Sequence, residues 1–121
     1  MTFKEWYNSD DTKQKIVECN KVAVRRLPAQ AKASYTLLED ITDLGGWALE
    51  LQEEARNYYL IKLAELTAAE LEEKPNVAKK TTLDYCKNLP CEEKKAVDMI
   101  DRIVRTFELR AIWCQSLNKG S

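Results

Sequence analysis

The 121-residue chain contains no histidine, and this absence removes several kinds of chemistry. Without imidazole there is no metal-bound histidine, no Ser-His or Cys-His nucleophile pair, and no usual general base near neutral pH. The carboxylate-bridged di-iron bundles need Glu-x-x-His motifs and are excluded for the same reason. We therefore expect no catalytic residue of the common hydrolase types.

Glycine and proline are scarce, with three of each. An all-β protein needs many tight turns and alternating strand patterns, and neither is present. There is no glycine-rich phosphate loop, because Gly45 and Gly46 form a bare pair. No apolar run approaches the roughly eighteen residues that cross a bilayer, and residues 1–12 lack the apolar core of a signal peptide. These absences favour one all-α domain over residues 1–121, located in the cytoplasm without membrane contact.

The four cysteines are scattered along the chain. Structural zinc sites use close pairs such as C-x2-C, which the spacing of Cys86 and Cys91 does not match. Cys19, Cys86 and Cys114 fall on apolar faces, where cysteine acts as a small buried side chain. Reduced thiols are expected in the cytoplasm. We expect no metal site and no cofactor.

Residues 44–73 organise the rest of the chain. After Gly46 they contain neither glycine nor proline, and they are rich in Ala, Leu, Glu and Gln, which are strong helix formers. Apolar residues recur at the spacing of one helical face: Leu51, Ala55, Tyr59, Leu63 and Leu66. The pattern predicts a long central helix that follows a break at the two glycines and ends before Pro75.

Other helices are expected on either side of the central helix. Before it come a short helix over residues 2–8 capped by Thr2, a helix over about 9–27 and a helix over 28–43. After it come a short helix over about 80–88 and a last helix over about 92–117, which ends at Asn118, Lys119 and Gly120. The helix over 28–43 is expected to bury Ala31, Tyr35, Leu38 and Ile41. The helix over 9–27, capped by Ser9, is expected to bury Ile16, Cys19, Ala23 and Leu27. The last helix is expected to bury Ala96, Ile100, Ile103, Phe107, Ala111, Cys114 and Leu117. The predicted fold is an antiparallel helical bundle of about four main helices, with a long central helix and one or two short extra helices.

Charge is nearly balanced overall but unevenly distributed. The net charge is −1, yet residues 39–73 carry ten Asp/Glu against Arg56 and Lys62, and residues 74–121 carry ten Lys/Arg against six Asp/Glu. In one interpretation the basic segments pack beside the acidic helix and neutralise it in exposed pairs. In the other, an acidic face is offered to a basic partner, whose association it steers.

The favoured function is a small non-enzymatic interaction or regulatory module, of the adaptor or inhibitor kind. It binds another protein through an acidic and aromatic helical face, because large aromatic residues are enriched at binding hot spots. The residues expected at that face are Glu50, Glu53, Glu54 and Trp113. Homodimerisation through the apolar surface of the central helix is expected to accompany it.

An accessory subunit that contacts RNA or DNA is the alternative. Cations of the C-terminal half would form a stripe that follows phosphates: Lys79, Lys80, Lys87, Lys94, Arg102, Arg105 and Arg110. The isoelectric point of 5.6 and the carboxylates between these residues argue against it.

Paired carboxylates provide a second alternative. Glu50 with Glu53, and Asp98 with Asp101, are three residues apart on two helices and together can hold Mg²⁺. The arrangement distantly resembles the all-α nucleoside triphosphate pyrophosphatases, whose metal site combines E-E-x-x-E on one helix with E-x-x-D on another. The resemblance implies a Mg²⁺-dependent nucleotide hydrolase. The first motif is out of the family's register, and Asp98 stands where the family has Glu.

Overall fold

The computed structural model describes residues 1–119, which form five helices and no strand. In chain order they are α1 (Phe3–Tyr7), α2 (Asp10–Val24), α3 (Ala31–Glu73), α4 (Lys79–Lys87) and α5 (Glu92–Lys119). The predicted all-α bundle, with a long central helix and one or two short extra helices, is confirmed. Gly120, expected to help end the last helix, lies outside the described residues.

The first two helices begin at the predicted caps. The Thr2 hydroxyl accepts a hydrogen bond from the Glu5 backbone N–H at 3.2 Å, and Ser9 accepts one from the Thr12 N–H at 3.3 Å. Each bond satisfies one of the N–H groups that a helix start leaves unpaired. The prediction for the end of α2 is wrong, because the helix stops at Val24 and Leu27 is 45% exposed instead of buried.

The predicted break at Gly45 and Gly46 is also wrong. Both glycines lie inside α3, and neither has a positive φ. The segments expected at 28–43 and 44–73 therefore form one helix of 43 residues. An interior glycine costs a helix about 1 kcal/mol relative to alanine. Continuous packing offsets this cost, since Ile41 and Ala48 on either side of the pair belong to one buried cluster with Phe107 of α5.

Helix α3 runs antiparallel to α5. The Ser34 hydroxyl near the start of α3 donates to Asn118 near the end of α5 at 2.9 Å, and the Gln52 amide donates to Asp101 at 2.8 Å. Helix α2 lies against one face of this pair and buries Cys19, Val22 and Ala23 in the shared core. Within residues 1–119, no helix covers the opposite face of the α3–α5 pair in the region of Gly45.

The two short helices pack against the C-terminal half of α3. In α1 the indole of Trp6 is buried, and its ring centroid lies 5.3 Å from that of Tyr58 on α3. Helix α4 folds back on the C-terminal end of α3, where the Lys74 Nζ atom lies 5.9 Å from the ring centroid of Tyr85. Among the described residues, no helix is both long enough and apolar enough to cross a membrane.

Burial follows the predicted pattern on α5 and departs from it on α3. Five of the residues expected on the inner face of the last helix are buried: Ala96, Ile100, Ile103, Phe107 and Cys114. On α3, Ile41 is buried as expected, but Tyr35 is 58% exposed and Leu37 is buried in its place. Two positions turn a helix by about 200°, so Tyr35 was assigned to the wrong side of the helix, whereas Leu38 packs against the main core cluster as expected.

Candidate interaction surfaces

A row of four carboxylates lies along the outer side of α3. Glu39, Asp43, Glu50 and Glu53, with Gly46 in the middle, follow one another at three- or four-residue spacing and so share one helical stripe. We call these four residues the acidic edge. Glu50 forms an ion pair with Lys15 of α2, with 3.7 Å between Oε2 and Nζ. The other three are exposed and have neither an ion pair nor a side-chain hydrogen bond within residues 1–119.

Glu54, predicted as a binding residue, has a structural partner. It is half-buried, and its Oε2 accepts a hydrogen bond from the indole N–H of Trp6. A buried indole N–H needs such an acceptor, because an unsatisfied donor costs stability. Of the three α3 carboxylates predicted to bind a partner, Glu53 is therefore the one without a partner in the described chain.

Trp113 lies far from these carboxylates. It is 45% exposed, and its indole N–H donates to the Pro28 carbonyl at 3.3 Å. The Gln52–Asp101 hydrogen bond shows that Asp101 of α5 lies level with Gln52 of α3, beside Glu53. Trp113 is twelve residues beyond Asp101, or about 18 Å along the axis of α5. The structure does not bring Trp113 together with Glu50 and Glu53. Its exposed neighbours on α5 are instead Leu109 and Ile112.

The seven cations of the predicted nucleic-acid surface have no ion pairs within residues 1–119. Lys79, Lys80 and Lys87 lie on α4, and Lys94, Arg102, Arg105 and Arg110 lie on α5. Three of them donate to backbone carbonyls: Lys94 to Lys87, Arg102 to Asp98, and Arg110 to Arg25. The acidic and basic segments thus neutralise each other little.

Few ion pairs connect different helices. Lys15–Glu50 and Arg25–Asp40 connect the α2 region to α3, and Arg56–Asp101 connects α3 to α5. The remaining pairs are local, at three- or four-residue spacing. Exposed pairs of this kind contribute little to stability.

An apolar groove runs between α3 and α5 on the face that α2 does not cover. Its volume is about 230 Å³. We call it the α3–α5 groove, and its lining is Ile41, Gly45, Ala48, Leu49, Val104, Phe107, Glu108 and Ala111. Glu108 is the one charged residue among them. Sequence reasoning missed the groove because it placed a helix end at Gly45. The signal in the sequence was Leu49, an apolar residue that lies off the predicted inner face of the central helix.

The carboxylates that suggested a magnesium site do not form one group. Among the described residues, no three His, Cys, Asp or Glu side chains lie close enough together to hold a metal ion. Asp101 instead accepts hydrogen bonds from Gln52 at 2.8 Å and from Arg56 at 3.3 Å. The resemblance to the pyrophosphatases therefore gains no geometric support at Glu50, Glu53, Asp98 and Asp101.

The four cysteines are free thiols. Burial raises the pKa of Cys19 to about 11, and burial also raises the pKa of Cys114. A thiol with a raised pKa carries little thiolate at neutral pH and is a poor nucleophile. Both side chains act as packing residues in the core.

No protein-family model, no curated protein and no solved structure matches the chain.

Proposed function

We propose that this chain is a non-enzymatic protein-interaction module of the cytoplasm, and that the acidic edge of α3 binds a Lys/Arg-rich segment of another protein. One observation carries the proposal. The chain contains 19 Lys and Arg, yet Glu39, Asp43 and Glu53 have no ion pair within residues 1–119. Like charges in a row repel one another, and a basic partner relieves that repulsion.

Electrostatic complementarity of this kind mainly steers association and sets specificity. The contact is exposed, so salt screens it over about 8 Å at physiological ionic strength. Binding is therefore expected to weaken as salt is raised, mostly through slower association. A cytoplasmic location also agrees with the four free cysteines, because the reducing cytoplasm keeps thiols unpaired.

The experiment uses the full chain for affinity capture from a lysate of the source cell. The lysate is first treated with nuclease. The test variant changes Glu39, Asp43 and Glu53 to lysine. The matched control changes three other exposed acids to lysine, so both variants gain the same charge. These acids are Glu72 and Glu73 at the end of α3 and Asp84 on α4. We expect a stoichiometric protein that the wild type and the control retain and the test variant loses by at least tenfold, with equal helical circular dichroism. Equal capture by all three proteins would contradict the proposal.

Nucleic-acid binding is a second candidate, favoured because the seven cations of α4 and α5 have no ion pair within residues 1–119. A protein that neutralises phosphates releases counterions, so the logarithm of the binding constant falls linearly with the logarithm of salt concentration. Changing Arg102 and Arg105 to glutamine is expected to reduce that slope by about two if both contact phosphates. A wild-type chain that leaves labelled RNA and DNA unbound at 50 mM salt would exclude this candidate.

A further inference from the structure

A cleft between α1 and α5 combines aromatic rings with cations. Its volume is about 560 Å³, which is within the range of small-molecule sites. Phe3, Lys4 and Tyr7 line it from α1, and Lys95 and Arg102 line it from α5. We call it the α1–α5 cleft. We infer that it binds a nucleotide, with the base stacked on the Tyr7 ring and the phosphates held among the three cations.

Tyr7 presents an aromatic surface to the cleft. Phe3 and Tyr7 are one turn apart on α1, and their rings stack with centroids 5.4 Å apart and an interplanar angle of 21°. Trp6 is buried, with its ring centroid 5.3 Å from that of Tyr58 on α3, and so holds the short helix in place. Tyr7 itself is only half-buried. Nucleic-acid bases stack on aromatic rings of this kind, because every base has a π-face.

The three cations of the cleft are available to an anionic ligand. Lys4, Lys95 and Arg102 are exposed, and none forms an ion pair within residues 1–119. Glu92 is the one acid among the described residues that line the cleft, so three cations against one carboxylate give the lining a net charge of +2. Asp98 does not line it and contacts Arg102 through its backbone carbonyl, which accepts from Nε at 3.4 Å. Charge-assisted hydrogen bonds from such cations are the usual way in which proteins hold phosphate.

The spacing of the cations favours a chain of phosphates over a single phosphate group. Lys95 and Arg102 are seven residues apart on one side of α5, or about 10 Å along its axis. Lys4 lies on the opposite wall, which α1 forms. A single phosphate group is too small to contact cations at both ends of this stretch, whereas the phosphates of a nucleoside di- or triphosphate extend along it.

The features that recognise a nucleotide are confined to this cleft. Beyond Met99 and Arg102 the seam between α2 and α5 continues as a cavity of about 270 Å³. Its described lining, which includes Asn20, Val24 and Thr106, contains no aromatic residue and no cation other than Arg102. Proteins that bind single strands repeat both features along the groove, because each further nucleotide adds a phosphate and a base. The ligand that fits is therefore a free nucleoside polyphosphate.

The inference goes beyond the proposed function, because the α1–α5 cleft contains no residue of the acidic edge. Arg102 is shared with the nucleic-acid candidate, whereas Lys4, Lys95 and Tyr7 are not. The variants that test the cleft therefore change only those three residues.

Isothermal titration calorimetry of the full chain with ATP, at about 50 mM salt and without divalent ions, tests the inference. We expect a dissociation constant of about 100 µM. Lys4→Gln combined with Lys95→Gln removes two of the three cations and is expected to weaken binding at least tenfold. The matched control combines Lys32→Gln with Lys119→Gln, two exposed lysines without an ion pair within residues 1–119, where α3 begins and α5 ends. It is expected to bind ATP within about twofold of the wild type, and both variants are expected to keep the wild-type circular dichroism.

Variants of Tyr7 separate stacking from charge. Tyr7→Phe keeps the ring and is expected to bind ATP within about twofold of the wild type. Tyr7→Leu keeps apolar bulk but loses the ring, and it is expected to weaken ATP binding at least fivefold. Inorganic tripolyphosphate has no base, so we expect it to bind Tyr7→Leu and the wild type equally. An equal loss for both ligands would show that Tyr7 only holds α1 in place and would overturn the stacking role.

A wild type that does not bind ATP at about 1 mM overturns the inference, as does equal binding by the two double-lysine variants. A short oligothymidylate that binds more tightly than ATP, and that the Lys4 and Lys95 changes release, would identify the ligand as a strand. A phosphotyrosine peptide with the same behaviour would identify it as a modified protein. Either result overturns the assignment to a free nucleotide. The proposed function is judged separately by the lysine variants of the acidic edge, so failure of one does not imply failure of the other.

Discussion

The two faces of the α3–α5 pair are made from the same helices but differ in what covers them. On the face toward α2, Leu37 is buried in one cluster with Cys19 and Val22. On the opposite face, Leu49 remains exposed at the edge of a groove about 230 Å³ in volume. An apolar side chain on a long helix therefore stabilises the fold only where a neighbouring helix removes it from water. The apolar periodicity of one helix does not reveal where such a neighbour lies.

The largest expected effect comes from a matched pair of leucines. Leu51 is 2% exposed and Leu49 is 57% exposed on the same helix. Leu51→Ala removes buried methyl groups and leaves a cavity, so it is expected to lower the free energy of unfolding by about 3 kcal/mol. Leu49→Ala is expected to change it by less than about 0.5 kcal/mol in the monomer. Urea unfolding at low protein concentration measures both, and similar losses would remove the distinction between the two faces.

High pH is expected to weaken the covered face selectively. The ordinary pKa of a cysteine thiol is 9.0, and burial raises that of Cys19 to about 11. The folded chain binds the Cys19 proton more tightly than the unfolded chain does. The stability that this proton contributes is therefore complete below pH 9 and is lost as pH rises through 11. The loss for one such thiol is roughly 2 kcal/mol by pH 11. Urea midpoints between pH 8 and 11 measure it.

Cys19→Ala supplies the control for that experiment. This variant keeps the effects of every other group that titrates at high pH, including Cys114, and removes the contribution of Cys19. We expect a flatter pH dependence in the variant, together with a lower stability at pH 8. Identical slopes for the two proteins would mean that the Cys19 thiol is not protected by burial.

In the middle of the acidic edge, Gly46→Ala is expected to stabilise the monomer by about 0.5 to 1 kcal/mol. Alanine is the better helix former, and its Cβ meets nothing within 4 Å. The thermal midpoint at low protein concentration measures the change. Destabilisation by alanine would instead indicate that the helix breaks at Gly45 and Gly46 in solution, with a glycine in the left-handed conformation.

The smallest expected effect is at the rim of the covered face. Glu50→Gln removes the ion pair with Lys15, whose partners are 3.7 Å apart, and Glu50 is 53% exposed. Lys15 keeps its pair with Asp11 at 3.1 Å, and that hydrogen bond is the main cause of the raised pKa of Lys15. The change is expected to cost less than about 0.5 kcal/mol and to vanish in 0.5 M salt. A larger, salt-independent loss would show that the pair holds α2 in place.

The sequence was sufficient for the fold class and for most helix boundaries, because caps and periodicity are local signals. Ser9 marks the start of α2, and the inner face of α5 follows its apolar pattern along its whole length. The error at Gly45 and Gly46 arose because their local cost, about 1 kcal/mol each, was weighed without the packing of α3 on α5. That packing depends on residues more than fifty positions apart, such as Ile41 and Phe107, and only the three-dimensional structure shows it.

The candidate site was less predictable than the fold. The acidic character of residues 39–73 is evident from composition, but the separate roles of Glu50, Glu53 and Glu54 depend on Lys15 and Trp6, which approach from other helices. The groove was not predicted, because a groove is defined by the helix that is missing over it. Single-helix patterns contain no information about such an absence.

The unbroken α3 also determines how the molecule moves through solution. A helix of 43 residues is about 65 Å long, and a rod of that length has a radius of gyration of about 19 Å, compared with about 14 Å for a compact chain of this size. A monomer of this shape encounters more friction than a sphere of equal mass. It will elute early from a gel-filtration column and imitate a dimer, so its mass has to be measured by a method that is independent of shape.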